Sequence, residues 1–167
     1  MHLFPPTLNA LAESVIQLAR QKKLRLATAE SCTGGLISGC LTEVPGASDV
    51  FDRGFVTYSN DAKMTNLAVS YKTIQDFGAV SAETALEMAV GTLSASHADM
   101  AVSVTGIAGP NGGSAEKPVG LVYIGIAIRS NGNSYALKKQ FEGTRNDVRL
   151  HSVEAALSLF KEEIQNY

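Results

Sequence analysis

The sequence predicts an α/β fold: a single-domain three-layer α/β/α sandwich with a mixed sheet. Three observations predict it. Apolar strand-like runs alternate with amphipathic helical stretches over most of the chain, a short polar turn joins the last two strands as a hairpin, and no linker, internal repeat or low-complexity tract interrupts the 167 residues. A chain of that length buries roughly 70% of the surface its unfolded form exposes, enough for one core without metal or disulfide staples. Residues 1–167 are therefore expected to form one domain, with 1–7 as a flexible N-terminus.

Pro5-Pro6-Thr7 opens a helix on which Leu8, Leu11, Val15 and Leu18 recur at helical spacing until the basic stretch Arg20 to Lys23 ends it. Leu24 to Ala29 reads as a short buried strand, followed by a helix from Thr33 to Thr42 entered through Gly34-Gly35. The turn Val44-Pro45-Gly46-Ala47-Ser48 leads to a second strand, Gly54 to Ser59. Asn60-Asp61 can then cap a helix that carries Lys63 and ends near Val69. Ser81 caps a longer helix to about Ser96, with Glu83 in its first turn, at the positive end of the helix dipole. Ala101 to Thr105 is a strand running into the glycine-rich segment Gly106 to Ser114, where helix propensity is poor and a loop is required. Gly120 to Ile128 is almost continuously apolar, as in a strand covered on both faces. It turns at Ser130-Asn131-Gly132-Asn133 into Ser134 to Phe141, where Lys138 and Lys139 mark an edge strand. Thr144 caps a final helix with Val153, Leu157, Phe160 and Ile164 on one stripe.

Composition excludes several functions. Fourteen basic against sixteen acidic residues leave a net charge of -2, without the basic face of a nucleic-acid binder, and no tryptophan is present for base stacking. No run of about 18 apolar residues could cross a membrane, and no secretion signal opens the sequence. A cytoplasmic protein without nucleic-acid or membrane partners is expected. Cys32 and Cys40 read as free buried thiols, and the scattered histidines offer no metal-ligand spacing, so neither a metal nor a cofactor is expected.

In open α/β sheets ligands bind beyond the carboxyl ends of the strands, and three such ends carry reactive side chains. In Thr28-Ala29-Glu30-Ser31-Cys32-Thr33-Gly34-Gly35 a strand turns into a helix whose amides could receive a developing negative charge, and Ser31 could be a nucleophile there. The competing reading is a serine and threonine capping an ordinary helix. In Tyr58-Ser59-Asn60-Asp61-Ala62-Lys63 the lysine sits at the positive end of a helix dipole, which lowers its pKa as burial would. A neutral Lys63 could then act as general base toward a serine hydroxyl, with Tyr58 relaying or donating a proton. Ser48 is a second hydroxyl that could meet this lysine; a solvated lysine and a core tyrosine are the bland alternative. In the third segment Thr105, Gly106, Ala108 and Gly109 could wrap a phosphate or carboxamide, although no Gly-Lys-Ser/Thr ending makes it a P-loop. Arg145, beside the free amides of the last helix, suits phosphate recognition, or else joins a surface network with Asp147 or Arg149.

Taken together, Glu30-Ser31-Cys32-Thr33-Gly34-Gly35, the Val44 to Ser48 turn, Gly54 to Asn60 with Lys63, Gly78-Ala79-Val80-Ser81, Thr105 to Pro110 with Gly112-Gly113, and Lys117-Pro118-Val119-Gly120 resemble the C-terminal domain of the CinA family, from about residue 8 to the end. That family includes stand-alone nicotinamide-nucleotide amidases. The resemblance implies hydrolysis of nicotinamide mononucleotide to nicotinate mononucleotide and ammonia, in pyridine nucleotide recycling, by a serine and a lysine without a metal. It makes Lys63 the general base, Tyr58 a polar partner, Thr105 a binding or oxyanion-side group and Arg145 the phosphate ligand. Thr33, Gly34, Gly35, Gly106, Ala108 and Gly109 would line the substrate. The nucleophile stays open between Ser31 and Ser48. The family's turn often reads Pro-Gly-Ser-Ser, and Ala47 replaces the first of those serines, which singles out Ser48 within the turn. Where the family often has Leu-Gly-Val this chain has Leu67-Ala68-Val69, compatible with a helix end. Larger members carry an N-terminal domain resembling molybdopterin-binding proteins, whose activity is not expected here, and a homo-oligomer is expected by analogy. The alternative of a different class is a non-catalytic nucleotide- or phosphate-binding module. A pyrophosphatase acting on ADP-ribose would need clustered acidic metal ligands, which the sequence does not show.

Overall fold

The computed structural model describes residues 3–167. In chain order its elements are α1 (Pro6–Lys22), β1 (Leu26–Glu30), α2 (Leu36–Thr42), a 3-10 turn (Ala47–Asp49), β2 (Phe51–Val56), α3 (Asn60–Leu67), α4 (Tyr71–Phe77), α5 (Ala82–Ser94), β3 (Met100–Gly106), β4 (Leu121–Ile128), β5 (Ser134–Gln140) and α6 (Arg145–Asn166). The strands form one mixed sheet in the order β2-β1-β3-β4-β5. Both β2 and β3 lie parallel to β1, β4 pairs antiparallel with β3, and β5 pairs antiparallel with β4.

Parallel crossovers are right-handed. The chain leaves β1 toward β2 on one side, then returns past β1 to β3 on the other, so the two connections fall on opposite faces of the sheet. Accordingly α2 packs with α1 and α6 on one face, while α5, with α3 and α4 against it, covers the other. The larger core lies on the first face, where Ile16, Leu41 and Phe160 meet Leu26, Val102 and Ile124. On the second face the strands present Ala29, Ala101, Ser103 and Gly125, small residues that let α5 approach closely. A Cβ added at Gly125 would come 2.4 Å from the Ala85 carbonyl oxygen. This is the three-layer sandwich the sequence predicts.

Local boundaries differ for physical reasons. Of the N-terminal stretch 1–7 expected to be flexible, Met1 and His2 lie outside the described residues, whereas Phe4 is buried in the core and Pro6 and Thr7 already belong to α1. The second strand covers Phe51–Val56 rather than Gly54 to Ser59, because this edge strand buries little and carries only a weak alternation. Helix α4 was not anticipated; it is short and buries no side chain, so it has no apolar stripe to read.

The end of α3 carries a measurable strain. Ala68 adopts φ +54°, with its N–H donating to Met64 O at 3.0 Å and the next N–H, from Val69, donating to Lys63 O at 3.2 Å. This is the left-handed helix cap that glycine occupies without penalty. Replacing Ala68 with glycine is expected to raise stability by about 0.5–1 kcal/mol, since the left-handed conformation costs an L-residue about 1–2 kcal/mol and glycine gives part of that back in chain entropy. A lower urea midpoint for Ala68→Gly would contradict it.

Candidate active site

The sheet ladder continues one residue past the ends of β1 and β2. Ser31 N–H donates to Val104 O at 2.9 Å, and Thr57 N–H donates to Glu30 O at 2.9 Å. Ser31 is thereby fixed between β2 and β3, at the point where the strand order reverses and an open sheet leaves a crevice. Ser59 caps α3 by accepting from Ala62 N–H at 3.0 Å, which puts Lys63 on the first helical turn. Helical side chains slant toward the N-terminus, so Lys63 runs back under that turn to the strand ends. Its Nζ lies 3.1 Å from Ser31 Oγ, 3.0 Å from Thr57 O and 3.4 Å from Tyr58 O.

Lys63 is only 1% exposed, and among the described residues no carboxylate lies within 4.0 Å of it. Burial holds its amine below the usual lysine range. A neutral amine has two N–H donors and one lone pair. The two carbonyls can only accept, so when they take the two hydrogens the lone pair is left for the Ser31 hydroxyl.

Beside this pair the Glu30 carboxylate is fully buried and turned the other way, into the start of α2. It accepts from the amides of Gly35 (3.1 Å), Ile37 (3.0 Å) and Ser38 (2.8 Å) and from Ser38 Oγ at 2.8 Å. Gly54 on β2 makes room for this arrangement, since a Cβ there would lie 2.1 Å from Ser38 Oγ. The expectation that α2 starts at Thr33 and offers its free amides to a ligand is therefore corrected. Thr33, Gly34 and Gly35 form a turn, with φ +60° and +99° at the glycines, and the helix amides are occupied by Glu30.

A cleft of about 280 Å³ opens above Ser31 and Lys63. It gathers Ser31, Tyr58, Lys63, Thr105, Gly106, Ala108, Gly109 and Arg145 from four separate parts of the chain, together with Asn60, Asn111 and Gly112, which are not among the predicted site residues. Thr33, Gly34 and Gly35 do not line it. Thr105 Oγ1 donates to Ala79 O at 2.8 Å, which leaves its lone pairs but not its hydrogen for a ligand. Arg145 donates to Gly109 O at 2.7 Å and to the Tyr58 phenol at 3.3 Å, bridging the β2 and β3 ends of the cleft. Tyr58 is 63% exposed, and its carbonyl, not its phenol, meets Lys63, so a proton relay through the phenol is not built here.

Ser48 does not belong to the site. It is exposed on the 3-10 turn before Phe51, and Phe51 pairs with Leu26 at the opposite end of β1. The five residues of that strand put it about 16 Å away along the sheet, at ~3.3 Å per residue. Proximity in sequence to Lys63 misled, because β2 carries the chain across the whole sheet between the two. A larger groove of about 470 Å³ lies between β5 and α6, where it gathers none of the predicted site residues. Cys32 and Cys40 are both free and buried, and burial pushes each thiol up to about 11.

The profile of the CinA C-terminal domain matches residues 8–164. The chain belongs to that family. The crystal structure of the competence/damage inducible protein CihA from Agrobacterium tumefaciens superposes with a TM-score of 0.95 at 50% identity, covering 99% of each chain. A CinA superfamily protein from Escherichia coli gives 0.88 at 33% identity over 96% of this chain and 94% of that one. A CinA-like protein from Kosmotoga olearia is 46% identical over 153 residues, which are 92% of this chain and 37% of that protein. The chain thus spans under two-fifths of the length of the curated relatives it matches. Among the described residues no helix is long and apolar enough to cross a membrane, and no three His, Cys, Asp or Glu side chains are grouped to hold a metal ion.

Proposed function

We propose that this CinA domain is an amidohydrolase that converts nicotinamide mononucleotide to nicotinate mononucleotide and ammonia, with Ser31 as nucleophile and Lys63 as general base. One observation carries the reading: a buried lysine without a carboxylate partner, its amine 3.1 Å from the hydroxyl of a serine at the mouth of the sheet. A buried lysine serving structure alone would be expected to pair with a carboxylate.

Ser31 Oγ attacks the carboxamide carbon as Lys63 takes its proton. The C–N bond then breaks, the proton passes from Lys63 to the departing nitrogen, and ammonia leaves behind a serine ester. Water, deprotonated by the same amine, cleaves that ester and restores the hydroxyl. Among the described residues the amides of Cys32 and Thr33, which follow the serine directly, donate to no other residue, so they are the donors available to the oxyanion. Arg145 and the amides around Gly109 supply positive potential for the 5′-phosphate at the far rim.

The test is ammonia release from nicotinamide mononucleotide by the wild type and two serine variants. Ser31→Ala is expected to fall at least about 100-fold, the scale on which loss of a catalytic group registers, whereas Ser48→Ala stays within about twofold. Tight nucleotide binding without ammonia release would instead favour the non-catalytic binding module.

A further inference from the structure

We infer that Arg149 is a positioning residue for the nucleophile turn, acting through the Cys32–Thr33 and Thr33–Gly34 peptide planes. The inference rests on the amidase reading above. Arg149 lies one turn after Arg145 on α6 and is half-buried. Its Nε donates to Cys32 O at 3.1 Å and its Nη2 to Thr33 O at 3.2 Å, while Nη2 packs against Gly34, 3.5 Å from where a Cβ would stand. Among the described residues no carboxylate lies within 4.0 Å of it.

A guanidinium is the side chain suited to bidentate carboxylates. Here its fork is spent on two consecutive carbonyls of the turn that carries the nucleophile. Nothing else from Thr33's own side chain holds that turn, because its buried hydroxyl has no hydrogen-bond partner. In a trans peptide the C=O and N–H point in opposite directions. Pinning Cys32 O to Arg149 therefore turns Thr33 N–H away from α6, and a cation on the carbonyl end polarises the peptide so that its N–H donates more strongly. Among the described residues Thr33 N–H, beside Ser31, donates to no other group. Arg149 thus sets the direction and strength of a donor that meets the oxyanion only in the transition state, without touching substrate itself. Such a residue acts on kcat and leaves KM nearly unchanged.

The experiment is steady-state ammonia release from nicotinamide mononucleotide by Arg149→Ala and Arg149→Lys, each with and without added guanidinium. For Arg149→Ala the expected result is a kcat about 100-fold lower, the effect of a small misplacement of catalytic groups, with KM changed less than about threefold. Guanidinium restores about a tenth or more of the lost kcat, and methylammonium does not. Arg149→Lys recovers only part of the rate, because one ammonium cannot hold two carbonyls in a fork. A near-wild-type kcat in either variant overturns the inference, as does a loss in Arg149→Ala that guanidinium fails to relieve. If Arg149→Ala does not fold, the kcat of Arg149→Lys decides. A wild type that releases no ammonia ends the amidase reading. In that event the rate of Ser31 labelling by an aryl sulfonyl fluoride reads the same turn: slower labelling in the variants supports the role of Arg149, and equal or absent labelling overturns it.

Discussion

Lys63→Met is expected to lower ammonia release from nicotinamide mononucleotide by at least about 100-fold, the usual scale for losing a general base, and at the same time to make the protein more stable. Both effects have one cause. Lys63 is 1% exposed and its folded-state pKa is depressed by burial from the ordinary value of 10.5. Between the folded and unfolded pKa values the unfolded chain binds more protons than the folded one, so stability rises with pH through that window and levels off above about 10.5. At lower pH the folded state carries the cost of a buried ammonium. Methionine fills the same volume without that cost, and a gain on the order of 1 kcal/mol is the size found when a strained functional residue is relieved. For the wild type the rate of ammonia release is expected to rise with pH as the amine loses its proton, and to reach its plateau below the range of a free lysine. A denaturation series from pH 7 to 10 on wild type and Lys63→Met checks the linkage. Parallel pH dependence of the two proteins, or a rate independent of Lys63, would show that the amine is a spectator.

The second large effect concerns stability alone. Glu30→Ala removes the acceptor for three amides and one hydroxyl at the start of α2. Hydrogen bonds to charged groups contribute about 1.5–3 kcal/mol each and are not additive, and donors left buried add their desolvation cost. A loss of at least about 3 kcal/mol is expected on that scale. Glu30→Gln is the sharper test because it keeps the shape. Its carboxamide turns two N–H donors toward a cluster of donors, so at least one backbone amide loses its partner, for about 1–3 kcal/mol. Urea midpoints measure both, and a Glu30→Gln protein as stable as wild type would show that the carboxylate is not what caps α2.

The layered fold was legible because its long elements carry clear periods: the stripe of Val153, Leu157, Phe160 and Ile164 on α6, and the unbroken apolar run of β4, leave little choice. The family motifs lie at strand ends, and Ser31, Lys63, Thr105 and Arg145 line one cleft. What sequence could not supply was the identity of the partner. Ser48 is nearer to Lys63 in order than Ser31 is, yet the parallel pairing of β1 with β2 separates the first pair and joins the second. Glu30 stood inside a quoted motif without a role, because nothing in the residue string tells which way a carboxylate turns at a strand end. Arg149 was weighed only as part of a surface network, since the two carbonyls it holds belong to backbone more than a hundred positions earlier.

Leu26 to Glu30 pair with Met100 to Val104, and Arg25 N–H donates to an Asp99 carboxylate across 74 positions. Strand β1 therefore acquires its second neighbour only after more than two-fifths of the chain has been gathered between them, a high contact order whose loop-closure entropy slows folding. Val104, which fixes the Ser31 amide, is part of that late neighbour. The backbone of Ser31 is thus pinned only when β3 has docked, so the residue keeps its fixed place at the sheet end only in the fully paired strand order.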